Sequence, residues 1–268
     1  MGLHKIEFLK GTGIFSDLTA ILSGIWYCHD NSIPFNVHWF NGNYGKINVD
    51  GSMENLFDTY FFQKKYANME VDFVYDRFTP YNSDITSLYF FNNRKDEIFE
   101  DKVYDNLKKP ADIIKDIDLL NNPFFNSLNP NYFGNQKVLG IHRRGTTYKS
   151  HPIFNTEDKT YFDSINETFR YNSFDKIFII TDDGESLENF KKEYGNQLIH
   201  TDTQLTTDGV SPEFQKHWDR KMVMEQCLRD IFYLAQTDYK ILVHSNASLW
   251  SLLLNLQKNS FKVIQSYF

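Results

Sequence analysis

The sequence predicts an α/β protein whose parallel sheet is covered by helices on both faces, and three observations predict it. Short continuous apolar runs, such as KVLGIHR (137–143), KIFIIT (176–181) and YKILVHS (239–245), lack the polar alternation of a half-exposed strand. Amphipathic patterns of helical length stand between them. The runs lead into polar residues, at the position where sheets of this type hold ligands. A chain of 268 residues, 41% hydrophobic and 24% charged, suits one large α/β unit or two small domains that share a cleft.

KIEFLK (5–10) reads as a short strand, after which GTGIFS breaks the pattern. A helix follows from Asp17 to Asn31, where Leu18, Ile21, Leu22, Ile25 and Trp26 recur at helical spacing. FNVHW (35–39) is the next strand, SMENLFDTYF (52–61) a helix opened by Ser52, and VDFVY (71–75) another strand. Residues 80–135 turn polar and irregular, with helical pieces predicted at 96–108 and 111–121. NNPFFNSLNPNYFGNQ (121–136) clusters Asn, Pro and Gly, which marks it as a linker between domains. The second half is more regular: strand 137–143, helix around 157–171, strand 176–181, helix 185–194, strand 197–201, helix 216–236, strand 239–245, helix 246–257 and strand 261–265. Both halves read as Rossmann-like.

A net charge of −7 and a pI of about 5.6 leave no global field to hold a nucleic-acid backbone or an anionic membrane. Any anion site must be local. The opening residues MGLHKIEFLKGTG lack the cationic start and apolar run of a signal peptide, and no stretch reaches the roughly 20 apolar residues of a membrane span. The expectation is a soluble cytoplasmic protein. Cys28 and Cys227 fall in apolar helical patterns and read as buried thiols rather than a disulfide or metal pair.

His142, Arg143 and Arg144 stand at the carboxyl end of a predicted strand. A guanidinium there suits phosphate, because its planar donors match two oxygens and it stays charged at any working pH. Thr181, Asp182 and Asp183 end another strand and open a helix, where they serve either as caps or as a pair for magnesium. Ser245, Asn246 and Ser248 repeat the arrangement, and Ser245 suits both capping and a phosphate at a helix N-terminus. GTGIFSD (11–17) fits neither the dinucleotide nor the Walker spacing, yet a glycine turn into a helix brings Gly13, Phe15 and Ser16 close to a ligand. GxSxG, HExxH and CxxC patterns are absent from the sequence. Tyr148, Lys149 and His151 follow the arginines on an expected loop.

Taken together, GIHRRGTTY, the strand ending TDD, and LRDIFYLAQTDYKILVHSNASLWSLLLNL resemble the donor-binding half of the fucosyltransferase superfamily, over residues 137–257 or about half the chain. The superfamily includes nodulation and core α1,6-fucosyltransferases, protein O-fucosyltransferases and bacterial α1,2-fucosyltransferases. GTGIFSDLTAILSG and FNVHW look like its opening Gly-rich loop, helix and strand. The resemblance implies a GT-B-like fold, with residues 1–130 as an acceptor-binding Rossmann-like domain and 131–268 as the nucleotide-sugar-binding one. It implies GDP-β-L-fucose as donor, a glycan as acceptor, inverting transfer and no required metal. By motif position Arg144 corresponds to the arginine on the diphosphate, His142 and Asp230 to residues near the guanine, and Ser245 and Asn246 to the phosphate-side serine region. Asp182 and Asp183 match the acidic pair of the donor site, and Phe15 and Ser16 would supply backbone donors to the diphosphate.

Two departures stand out. Many members of the superfamily read His-x-Arg-Arg-x-Asp, whereas Gly145 falls here at the second arginine and Thr147 at the acid. The α1,6 group carries a glutamate before a His-Pro pair, and here Lys149 and Ser150 precede His151 and Pro152. Asp17, Asp50, His151 and Glu157 stand as alternatives for the general base, and a degenerate, non-catalytic nucleotide-sugar or glycan binder stands as the alternative function.

Overall fold

The computed structural model describes residues 3–8, 13–41, 44–45, 52–64, 71–75, 99–145, 156–208, 210, 212, 215 and 217–264. Among the described residues the strands form two parallel sheets. The first holds β1 (Leu3–Phe8), β2 (Phe35–Trp39) and β3 (Val71–Tyr75) in the order β2-β1-β3. The second holds β4 (Val138–Arg143), β5 (Lys176–Thr181), β6 (Leu198–Ile199), β7 (Tyr239–Val243) and β8 (Phe261–Ile264) in the order β6-β5-β4-β7-β8. Every residue of β4 is buried, which is why its sequence shows no alternation.

Among the described residues the helices are α1 (Ile14–Asp30), α2 (Leu56–Tyr60), α3 (Phe99–Asp116), α4 (Pro123–Ser127), α5 (Asp158–Tyr171), α6 (Gly184–Tyr194), α7 (Arg220–Ala235) and α8 (Asn246–Leu253). Three of them correct the sequence reading. Helix α2 is capped by Asn55, not Ser52. The Asn55 side chain accepts from Phe57 N at 3.2 Å and from Trp39 N at 2.9 Å, so it closes the helix and the outer edge of β2 together. The two predicted pieces around 96–121 are one helix, α3, that runs through Pro110. Proline removes one helical hydrogen bond, but Val103, Leu107, Ala111 and Ile114 keep one buried face across it, and that packing outweighs the local defect. The expected linker at 121–136 contains α4, and its Phe125 and Phe133 are buried.

One hydrophobic cluster runs through both halves. It joins Leu18, Ile21 and Trp39 of the first sheet's layer to Leu107 and Ile114 of α3 and to Leu249 and Leu252 of α8. Polar side chains cross the same seam: Trp250 Nε1 donates to Thr19 Oγ1 at 3.1 Å, and Asn246 Nδ2 to Ser16 Oγ at 2.8 Å. Cys28 is fully buried and Cys227 partly so, and neither forms a disulfide. Among the described residues no helix is long and apolar enough to cross a membrane.

Candidate functional site

Strand β4 is the pivot of its sheet, with β5 on one side and β7 on the other. Chain order reverses direction there, and the carboxyl ends of β4 and β7 open into the crevice where open α/β sheets bind ligands. In the first sheet β1 is the corresponding central strand, and α1 starts from its carboxyl end. A cavity of about 200 Å³ lies where these ends meet.

Gly13, Phe15, Ser16, His142, Arg144, Asp182, Asp230, Ser245 and Asn246 all line it. Asp183 does not. It is buried as the N-cap of α6, accepting from Glu185 N at 3.1 Å, and its Oδ2 lies 3.7 Å from Arg143 Nη1. Of the two aspartates expected at the donor site, Asp182 lines the cavity and Asp183 belongs to the helix start behind it.

Strand periodicity sorts His142, Arg143 and Arg144 at the end of β4. Successive side chains leave opposite faces, so His142 and Arg144 share the cavity side and Arg143 takes the other. Arg143 is buried there, with Nε donating to Asp158 Oδ1 at 2.9 Å. Burial pushes the Asp158 carboxyl up, but hydrogen bonds from Asn189 and Arg143, with the Arg143 charge, outweigh it and hold it below the ordinary range. Arg144 is the arginine that reaches the cavity.

His142 is buried, with Nδ1 2.7 Å from Ser248 Oγ and 3.4 Å from Ser245 Oγ. Burial, with the Arg144 charge added, lowers its pKa to about 3, so the imidazole is neutral and works as a hydrogen-bonding group. Asp230 is held by two hydroxyls: Thr201 Oγ1 donates to its Oδ1 at 2.8 Å and Thr203 Oγ1 to its Oδ2 at 2.6 Å. Burial raises its pKa against the pull of those bonds and of Arg229. The threonines were invisible as partners in the sequence, because they come from the irregular segment after β6 and carry no spacing rule. Trp218, Gln226 and Cys227 also line the cavity, and no motif marks them for it.

The helix starts differ in what they leave available. Ser245 caps α8 by accepting Ser248 N at 3.0 Å. Ser16 N already donates to Gly13 O at 2.9 Å, so the expected donation from Ser16 to a ligand has a competitor, whereas Phe15 sits in the first helical turn whose amides lack helical partners. Of the alternatives for the general base, Asp17 is fully buried and its Oδ2 accepts from Trp39 Nε1 at 3.0 Å and Asn41 Nδ2 at 2.7 Å. Glu157 is exposed just before α5, and neither acid lines the cavity. Asp50, Thr147, Tyr148, Lys149 and His151 lie outside the described residues. Among the described residues no group of three or more His, Cys, Asp or Glu is placed to hold a metal ion.

Two parallel sheets about a shared cleft, with a basic strand end and two helix starts on its walls, make a GT-B-type fold. No protein-family model matches the chain, and no curated protein matches it. Among solved structures the chain is similar to the fucosyltransferase NodZ from Bradyrhizobium, with a TM-score of 0.53 and 14% identity over 95% of this chain and 93% of that one. It is also similar to a mutant of Arabidopsis thaliana FUT1 in complex with GDP, with a TM-score of 0.50 and 9% identity over 97% of this chain and 69% of that one. The fold is thus that of the fucosyltransferases.

Proposed function

We propose that the protein is an inverting glycosyltransferase that moves L-fucose from GDP-fucose to a glycan hydroxyl, without a metal. The observation that carries the reading is the convergence of Arg144 and the N-terminal turns of α1 and α8 on one cavity at the switch point of the larger sheet. The neighbouring solved structures are fucosyltransferases, and one of them holds GDP, which supports the choice of donor.

The chemistry follows charge. As the acceptor hydroxyl oxygen bonds to sugar C1 and releases its proton to solvent, the bond between C1 and the diphosphate breaks and negative charge grows on the leaving GDP. A guanidinium and helix-start amides already in place meet that charge without reorganising. His142, neutral and tied to Ser248, and Asp230, held by Thr201 and Thr203, supply fixed polar groups for the base end of the nucleotide. Residues 1–130 would receive the acceptor, and the reaction would take place in the cytoplasm.

Calorimetric titration with GDP, GDP-fucose, UDP and ADP, with chelator and with added magnesium, tests the donor. Selective, chelator-insensitive GDP binding is expected, and a fucose-transfer assay with Arg144→Ala should show a loss of about 100-fold or more. Equal affinity for all four nucleotides, or turnover that requires magnesium, would sink the proposal in its present form.

A further inference from the structure

Arg144 is the first residue beyond the pairing of β4, whose last register partner is Arg143 with Thr181. Its N-terminal side therefore belongs to the sheet. The peptide on its other side, between Arg144 and Gly145, is gripped by a side chain at each end. The carbonyl accepts from Arg143 Nη1 at 2.6 Å, and the N–H donates to Asp182 Oδ1 at 2.7 Å.

Both grips are themselves anchored. Arg143 is fixed by Asp158, which in turn accepts from Ser186 Oγ at 3.0 Å and Asn189 Nδ2 at 2.9 Å. The main-chain carbonyl of Asp182 accepts from the amide and the hydroxyl of Thr206, each at 3.0 Å. The approach also needs the glycine. A Cβ at position 145 would lie 2.2 Å from Asp183 Cβ and 2.7 Å from Asp182 Oδ1, so a side chain there would force the two strand ends apart. What Gly145 supplies is room.

We propose that this doubly held peptide aims Arg144 into the cavity, that Asp182, Arg143 and Gly145 are positioning residues acting through it, and that Asp182 serves the site by holding main chain. Fixing the peptide plane fixes the direction in which the Arg144 side chain leaves, and a long side chain turns a small rotation at its root into a large shift at the guanidinium. A misplacement of about 1 Å costs roughly 100-fold in a catalytic contact. The inference rests on the reading of Arg144 as the cation for the diphosphate. It also gives the departure at position 145 a physical reason.

The test compares GDP with guanosine, which lacks the diphosphate, on wild type, Asp182→Ala, Asp182→Asn and Gly145→Ala. The two disruptive variants should lose about tenfold or more in GDP affinity with guanosine affinity unchanged, and Asp182→Asn, which keeps an oxygen acceptor, should recover most of the loss. Because Asp182 lines the cavity and Gly145 does not, a Gly145→Ala variant that binds GDP as wild type does would overturn the positioning role. So would equal losses for GDP and guanosine. Should Gly145→Ala fail to fold, the absence of rescue by Asp182→Asn overturns the role instead. Amide hydrogen exchange at Gly145 separates the inference from the donor reading. If wild type ignores GDP, the donor reading falls, and the peptide clamp is sustained by slow exchange that Asp182→Ala accelerates or removed by fast exchange in wild type.

Discussion

Nδ1 of His142 lies 2.7 Å from Oγ of Ser248 and joins the carboxyl end of β4 to the first turn of α8. The folded protein keeps this imidazole neutral down to a pKa of about 3, against an ordinary value of 6.5. Between those values the unfolded state binds more protons, so stability rises with pH across the window and falls as acid is added. The loss amounts to a few kcal/mol at most. Urea midpoints at pH 7, 5.5 and 4.5 should show a flatter acid limb in His142→Gln, and identical limbs would contradict it.

Lys240 is fully buried in β7 and donates from Nζ to the Thr237 carbonyl at 2.9 Å. Burial lowers its pKa to about 8 from 10.5, against the opposing charge of Asp238. The unfolded chain holds the proton longer, so stability again rises with pH, here between about 8 and 10.5. Lys240→Met should be more stable than wild type at pH 7 by about 1–3 kcal/mol, with that advantage shrinking in paired melts at pH 9 and 10.

Cys227 lines the cavity, whereas Cys28 is fully buried in α1. Alkylation of the native protein should therefore modify Cys227 alone. Saturating GDP should slow that modification about tenfold or more, as read by mass spectrometry, while an unchanged rate would place the nucleotide elsewhere.

The bond from Trp250 Nε1 to Thr19 Oγ1 spans 231 residues of chain within a buried seam. Thr19→Val leaves the indole N–H without its acceptor and should cost about 1–3 kcal/mol. Because the hydrophobic cluster is continuous through both halves, tryptophan fluorescence and far-ultraviolet circular dichroism should report one coincident unfolding transition. Two separated transitions would show that the halves unfold independently.

The strands were the most legible part of the fold. FNVHW, VDFVY and KIFIIT form strands with the bounds read from their apolar runs. What escaped was decided by tertiary packing: Pro110 would have split α3 had Leu107, Ala111 and Ile114 not been buried on one face, and Asn55 displaced Ser52 as a cap because it also serves the edge of β2. At the site, β-sheet geometry gathers strand ends whatever their sequence separation, which is how His142, Arg144, Asp182, Ser245 and Asn246 come to line one cavity, while Asp230 reaches it from the middle of α7 and Arg143, Asp183 and Ser248 stay off its lining. The division of labour among those residues was not legible. Asp182 and Asp183 are chemically identical neighbours in the chain, and only the approach of Gly145 and the turn into α6 tell them apart.

The sheet order also bears on how the chain folds as it is made. Strand β4 pairs with β7, some hundred residues further on, and α3 packs against α8 and β8, the last described elements. Loop closure of that span precedes any reward, so folding should be slow and unfinished until β7, α8 and β8 have left the ribosome. Until β7 arrives, the buried-type strand β4 has an open edge, and a nascent or truncated chain ending before Tyr239 is the form expected to aggregate.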